Sequence, residues 1–249
     1  MADNTKLRSI LVTGSGSGIG LAIARRLAAP GVGMTIHALT NREGCERTKR
    51  EVEAKGAEAR IVLGDLADGA FARELVDRAA EGFGGLDVLI ANAGFPVERT
   101  WEELDRETME HVNKVVALGF WEMAEAAIPH LKKAKDGRVV TIGTLNVHVH
   151  RPGFLSYPAS AAAKAGLEAL TRTLAMHLSP HRVCVNCVAP GLIRNDADAP
   201  DAFEDVIAQV PLGRLGTVDE AAAMIAAAEV RYDNAMTALE ADMKVALGA

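Results

Sequence analysis

Six short apolar runs punctuate the chain, at residues 10–12, 34–38, 59–63, 88–91, 139–142 and 183–188. Each is followed by a longer stretch of helical or loop pattern. That alternation predicts an α/β fold, a doubly wound parallel sheet of Rossmann type with helices on both faces. In such a sheet a ligand sits at the carboxyl ends of the strands near the point where strand order reverses. The residues that end each run are therefore the ones to examine for chemistry. Nothing Pro/Ser/Gly-rich, highly charged or repetitive divides the 249 residues, so 1–249 is expected to form one domain around one core.

Composition narrows the function classes. At 49% hydrophobic and 24% charged residues the chain is ordinary for a globular protein, and its net charge of −6 argues against nucleic acid or an anionic membrane as a partner. No apolar run reaches membrane-span length, and residues 1–5 lack the basic and apolar regions of a secretory signal, so a cytoplasmic location is expected. Cys184 and Cys187 are spaced like a metal or redox pair. They lie in an alternating strand-like run, and with Cys45 they read as core thiols, with no metal.

The stretch 13–20, TGSGSGIG, falls where the first apolar run gives way to a helical pattern. Gly14, Gly18 and Gly20 lack the Cβ atoms that would keep a backbone from a pyrophosphate, and the following helix aims its N–H groups and positive dipole end at the phosphates. With a strand before and a helix after, the loop predicts a dinucleotide site, with Gly14, Ser15, Ser17, Gly18, Ile19 and Gly20 as its contacts. The second run ends in His37, Ala38, Leu39, Thr40, Asn41 and Arg42. An acid for the adenosine ribose is missing there, while Arg42 with the Thr40 and Asn41 side chains can receive a 2′-phosphate, which favours NADP with NAD as the alternative. Arg42 also reads as a solvated helix-start residue. Asp65 and Leu66 close the third run, and Asn92, Ala93 and Gly94 the fourth; Asp65 reads equally as a helix N-cap.

TGSGSGIG, Asp65-Leu66, Asn92-Ala93-Gly94, Asn113 in HVNKVVALG, VVTIGT at 139–144, AAAKAGLEALTRTLA at 161–175 and VNCVAPGLI at 185–193 occur in one order. Together they resemble the short-chain dehydrogenase/reductase family over about the first 220 residues, and the wording is similar to bacterial 3-oxoacyl-carrier-protein reductases. The resemblance implies a single Rossmann-type domain, a bound nicotinamide dinucleotide, a small-molecule substrate and a homo-oligomer, tetramer or dimer. It also implies a proton-relay group, carried here by Tyr157, Lys164, Thr144 and Asn113, with Lys164 gripping the nicotinamide ribose. Pro190, Gly191 and Ile193 match the turn whose backbone holds the carboxamide. The chemistry has its own logic: a hydride moves to a carbon whose oxygen is polarised, so a phenol donates a proton while a nearby ammonium lowers that phenol's pKa.

The chain departs from the family where this logic matters most. The common spacing puts Tyr and Lys four apart, but Ala161 stands four after Tyr157 and Lys164 seven after. On a helix, steps of four and seven both keep two side chains on one face, rising about 6 and about 10.5 Å. Pro158 favours the first helical position and pushes Tyr157 into an extended conformation. One reading keeps carbonyl/alcohol chemistry on a small organic or acyl-thioester substrate, with Thr144 in the usual serine place thirteen residues before Tyr157. A second takes the spacing as that of enoyl-carrier-protein reductases, although Val147 stands where those carry a further aromatic hydroxyl. A third aligns Ser160 with the family tyrosine, giving a nucleotide-binding protein without turnover.

His148 and His150 sit at the mouth of the presumed substrate pocket and read as substrate contacts or solvated residues. Residues 194–210 suit a lid over the substrate. Residues 221–249 fit the family poorly: 221–245 is rich in helix formers where a final strand is implied. Substrate identity resides in loops 95–100, 145–156 and 194–210.

Overall fold

The computed structural model describes residues 7–150, 157–194 and 204–230. Strands β1 (Arg8–Val12), β2 (Val32–Ala38), β3 (Glu58–Leu63), β4 (Val88–Ala91), β5 (Arg138–Ile142) and β6 (Cys184–Val188) form one parallel sheet in the order β3-β2-β1-β4-β5-β6. All six expected apolar runs are strands of this sheet. Strands β2, β4 and β5 are buried along their whole length, which is why they read as continuous apolar runs, whereas the edge strand β3 is partly exposed. This is the predicted α/β, Rossmann-type architecture.

Helices α1 (Gly18–Leu27), α2 (Arg42–Glu53) and α8 (Val218–Val230) cover one face, and their apolar residues share a core with Ile10, Ile36, Ile90 and Val140. On the other face α3 (Gly69–Phe83), α4 (Arg106–Asn113), α5 (Gly119–Leu131) and α6 (Pro158–Leu178) pack on Leu11, Leu89 and Val139. Side chains begin several helices: Asn41 Oδ1 accepts from Gly44 N–H, Asp68 Oδ1 from Ala70 and Phe71, and Asp105 Oδ1 from Thr108. The N-cap of α3 is thus Asp68 and not Asp65, whose carboxylate accepts from Ala67 N–H two residues on and makes a local turn instead. A π-helical turn, Lys114–Leu118, joins α4 to α5.

Strand order reverses between β1 and β4, where Val12 is in register with Ile90, so the ends of these two strands lie side by side. At the far end of β5, the buried Arg138 donates from Nε to Glu229 O on α8, and Arg8 pairs with the buried Glu229 carboxylate.

Other features amend the sequence expectations or add to them. Cys45 is fully buried but Cys184 is half-buried and Cys187 exposed, because β6 is an edge strand among the described residues and its faces are less covered than those of β4. A second, two-stranded sheet, β7 (Ile193–Arg194) with β8 (Gly216–Thr217), was invisible to a periodicity argument, having two residues per strand. Of the presumed lid, Arg194 lies in β7 and Glu204–Ile207 form the short helix α7, while 195–203 fall outside the described residues. The helix expected after residue 221 is α8, and 231–249 lie outside the described residues.

Candidate active site

The glycine loop is built against the end of β4. Thr13 Oγ1 accepts from the N–H groups of both Asn92 and Ala93 at 3.0 Å, and Asn92 Nδ2 donates back to Thr13 O and Gly14 O at 2.8 and 3.2 Å. Gly14 and Gly18 adopt left-handed φ values of 63° and 53°. A Cβ on Gly20 would stand 2.2 Å from Gly14 O and 2.6 Å from Asn92 Nδ2, so only glycine lets α1 start this close to the loop. Ser17, exposed and extended, precedes α1 without a side-chain capping bond, which leaves the first amides of the helix for a ligand. This cradle fits the pyrophosphate of a dinucleotide. Ile19 is half-buried beside it.

Two side chains hold the loop from beneath. Ser15 is buried and its hydroxyl donates to Val12 O at 2.7 Å and accepts from His37 N–H at 3.0 Å, so this group shapes the loop instead of facing a phosphate. Gly14 N–H donates to His37 Nδ1 at 3.3 Å, which assigns the ring proton to Nε2, and Nε2 donates to Gly64 O at 3.1 Å. Burial pushes the pKa of His37 down to about 4, so the ring is neutral across the physiological range. Sequence reasoning registered His37 only as part of a run without an acid. Its place inside the apolar run 34–38 was the available signal.

At the adenosine end Thr40, Asn41 and Arg42 are exposed. Asn41 is spent on structure, capping α2 through Oδ1 and donating from Nδ2 to Gly16 O at 3.4 Å. Arg42 is exposed, its guanidinium 4.0 Å from Glu46 one turn along α2. Asp65 lies two residues past β3, and Leu66 after it is buried against the start of α5, where a Cβ on Gly119 would stand 2.8 Å from Leu66 O.

The second half of the site gathers on α6 and the ends of β4 and β5. Lys164 donates from Nζ to Ile142 O at the end of β5, and a Cβ on Gly94 would stand 3.3 Å from both its Cε and Nζ. Gly94 therefore makes room for the lysine. Burial lowers the pKa of the ammonium from 10.5 to about 8, with the Cys187 thiol as a weaker opposing influence. Tyr157 is the residue before α6, non-helical with φ −126° and ψ 81°, and Pro158 takes the first helical position, as the sequence predicts. Thr144, two residues past β5, is extended, and its Oγ1 accepts from Asn146 N–H at 3.4 Å to start a short 3₁₀ turn. Asn113 closes α4 at the mouth of the π-helical turn and donates from Nδ2 to Met109 O at 2.8 Å. Pro190 O accepts from Leu145 N–H at 3.1 Å, which draws Pro190 and Gly191 up to the Thr144 loop, and Ile193 follows in β7.

The side chains of Ser160 and His148 both have partners, and His148 is exposed. The Ser160 hydroxyl donates to Phe95 O and accepts from Val97 N–H. His148 Nε2 lies 2.9 Å from Oε1 of the buried Glu168, whose other oxygen accepts from Arg172, while His150 contacts Val147 O. Among the described residues no three His, Cys, Asp or Glu side chains are grouped to hold a metal ion.

Residues 8–204 match the short chain dehydrogenase family. The chain is 31% identical to 3β-hydroxysteroid dehydrogenase 1 of Eggerthella lenta, over 91% of this chain and 88% of that protein. It is equally 31% identical to a 3-oxoacyl-[acyl-carrier-protein] reductase of Aggregatibacter actinomycetemcomitans, over 86% of this chain and 88% of that protein. The crystal structure of a short chain dehydrogenase from Burkholderia cenocepacia in complex with NADP superposes with a TM-score of 0.83 at 33% identity, covering 91% of this chain and 92% of that one. These relatives favour the carbonyl/alcohol reading over enoyl reduction and over nucleotide binding without turnover. The chain belongs to the short-chain dehydrogenase/reductase family and is a nicotinamide-dependent oxidoreductase acting on carbonyl and alcohol groups.

Proposed function

We propose that this enzyme interconverts a ketone and a secondary alcohol, in a small organic or acyl-thioester substrate, with NADP preferred over NAD. The observation that carries the assignment of roles is the buried ammonium of Lys164, held between Gly94 and Ile142 O where the ends of β4 and β5 meet, two helical turns from Tyr157. A 3-oxoacyl reductase and a 3β-hydroxysteroid dehydrogenase among the relatives support the substrate class. The exposed Arg42 beside Thr40, and an NADP-bound neighbour, support the cofactor preference.

A bound nicotinamide supplies the hydride in the reducing direction. Tyr157 donates its phenolic proton to the substrate oxygen, and the Lys164 ammonium lowers the energy of the phenolate left behind. One Lys164 N–H is spent on Ile142 O, and the remaining two would hold the ribose hydroxyls of a bound cofactor. The Thr144 hydroxyl, whose acceptor side is taken by Asn146 N–H, has its proton to give to the same substrate oxygen. Asn113 shapes the π-helical turn behind the lysine. Gly14, Gly18, Gly20 and Ser17 would hold the pyrophosphate and Asp65 and Leu66 the adenine, while Asn92 and Ala93 hold the loop in register. Self-association, with the exposed Leu118 and Trp121 as an apolar patch, and a cytoplasmic location complete the reading.

The test is NADPH and NADH oxidation by purified protein with a β-keto thioester, an alicyclic ketone and an α,β-unsaturated thioester. Turnover of a ketone with NADPH preferred supports the proposal. Turnover of the unsaturated thioester alone refutes it.

A further inference from the structure

Residues 92–105, between β4 and α4, contain no helix or strand, and their third residue, Gly94, packs on Lys164. Among the described residues the backbone of 94–98 has two hydrogen bonds, and both go to one hydroxyl: Ser160 Oγ donates to Phe95 O at 3.1 Å and accepts from Val97 N–H at 3.2 Å. Ser160 lies on α6 between Tyr157 and Lys164, four residues before the lysine, so the helix that carries the lysine and follows directly on the proposed proton donor also carries this bridge. Phe95 is 42% exposed, and its ring is tilted at 5.9 Å from that of His111 on α4. Val97, on the other side of the bridge, packs against the core.

We infer that Ser160 is a positioning residue which fixes Phe95 as an apolar wall of the substrate site, and that the substrate therefore carries an apolar group beside its reacting carbon. The inference rests on the proposed function for the site, but its structural half does not. With the hydroxyl bonded on both its donor and acceptor sides, Ser160 has neither the proton nor the acidity to replace the phenol. Its effect passes through the loop: loss of the bridge releases Phe95, and with it the part of binding that depends on an apolar flank.

Three variants test this, Ser160→Ala, Ser160→Thr and Phe95→Ala, each read by hydrogen exchange at the Val97 amide and by kinetics on two ketones that differ only in the bulk of one apolar flank. The expected result is that Ser160→Ala speeds exchange at Val97 at least about tenfold, the typical scale for one lost hydrogen bond, and that Ser160→Thr restores protection. Ser160→Ala and Phe95→Ala both raise KM for the bulky ketone about tenfold more than for the small one, while the pH profile of kcat stays that of the parent. Unchanged Val97 exchange in Ser160→Ala overturns the bridge. Equal KM changes for both ketones, or a kcat pH profile that moves with Ser160, overturn the positioning role. If no ketone turns over in the parent, the proposed function fails, and the exchange data alone then decide whether the bridge stands.

Discussion

Lys164 gives two linked, quantitative expectations. Its ammonium is buried at the end of β5 with a pKa lowered from 10.5 to about 8 by desolvation. In the unfolded chain the lysine holds its proton up to about pH 10.5, so between that value and about 8 the unfolded state binds more protons than the native one, and stability falls as pH falls through this window. Below pH 8 the cost is fully present. The difference between 10.5 and about 8 corresponds to about 3 kcal/mol, an upper limit because the residue is only half-buried by surface area and water offsets part of the charge. Lys164→Met, close in volume and without the charge, should therefore stabilise the ligand-free protein at pH 7 by at most about 3 kcal/mol, and by under about 1 kcal/mol at pH 10. The same ammonium is needed for catalysis, so kcat/KM for ketone reduction should be level from pH 6 to 7 and fall about tenfold per pH unit above the lysine's pKa. Urea unfolding of parent and variant at pH 7 and 10, with initial rates of NADPH oxidation from pH 6 to 10, measures both. A variant less stable than the parent at pH 7, together with a rate level to pH 10, would refute the reasoning.

Gly20→Ala should weaken dinucleotide binding at least about tenfold and cost about 1–3 kcal/mol of stability, because its Cβ falls 2.2 Å from Gly14 O; calorimetric titration with NADPH and a thermal melt read the two effects. His37, with a pKa of about 4 against 6.5 unfolded, takes up its proton more readily in the unfolded chain, so stability is lost as pH falls from 6.5 towards 4. Between pH 7 and 4.5 the parent should lose about 2 kcal/mol more than His37→Gln in urea unfolding. Arg42→Ala should raise Kd for NADPH about tenfold while leaving NADH binding unchanged, as expected for a charge that meets only the 2′-phosphate.

The sheet was legible because its central strands are buried on both faces and so spell themselves as apolar runs, residues 88–91 and 139–142 being strands end to end. Pro158 announced the start of α6 by fixed local chemistry, and the glycines at 14, 18 and 20 announced the loop for the same reason. What stayed hidden depends on contacts between residues far apart in sequence. His37 meets Gly14 across 23 residues, Ser160 meets Phe95 across 65, and His148 meets Glu168 across 20. A serine or histidine carries no local mark of such a partner. Asp65 and Asp68 show the limit at short range: both are followed by helix-compatible residues, and only backbone geometry decides which one caps α3 and which one closes a turn.

The central claim is that Tyr157, seven residues before Lys164 and set off from α6 by Pro158, is the proton donor for carbonyl reduction. The most direct test compares the parent with Tyr157→Phe on whichever ketone the parent reduces, measuring kcat and the Kd for NADPH side by side. A fall in kcat of about 100-fold or more, with NADPH affinity held within about threefold, is the predicted result. Equal turnover by Tyr157→Phe would contradict it.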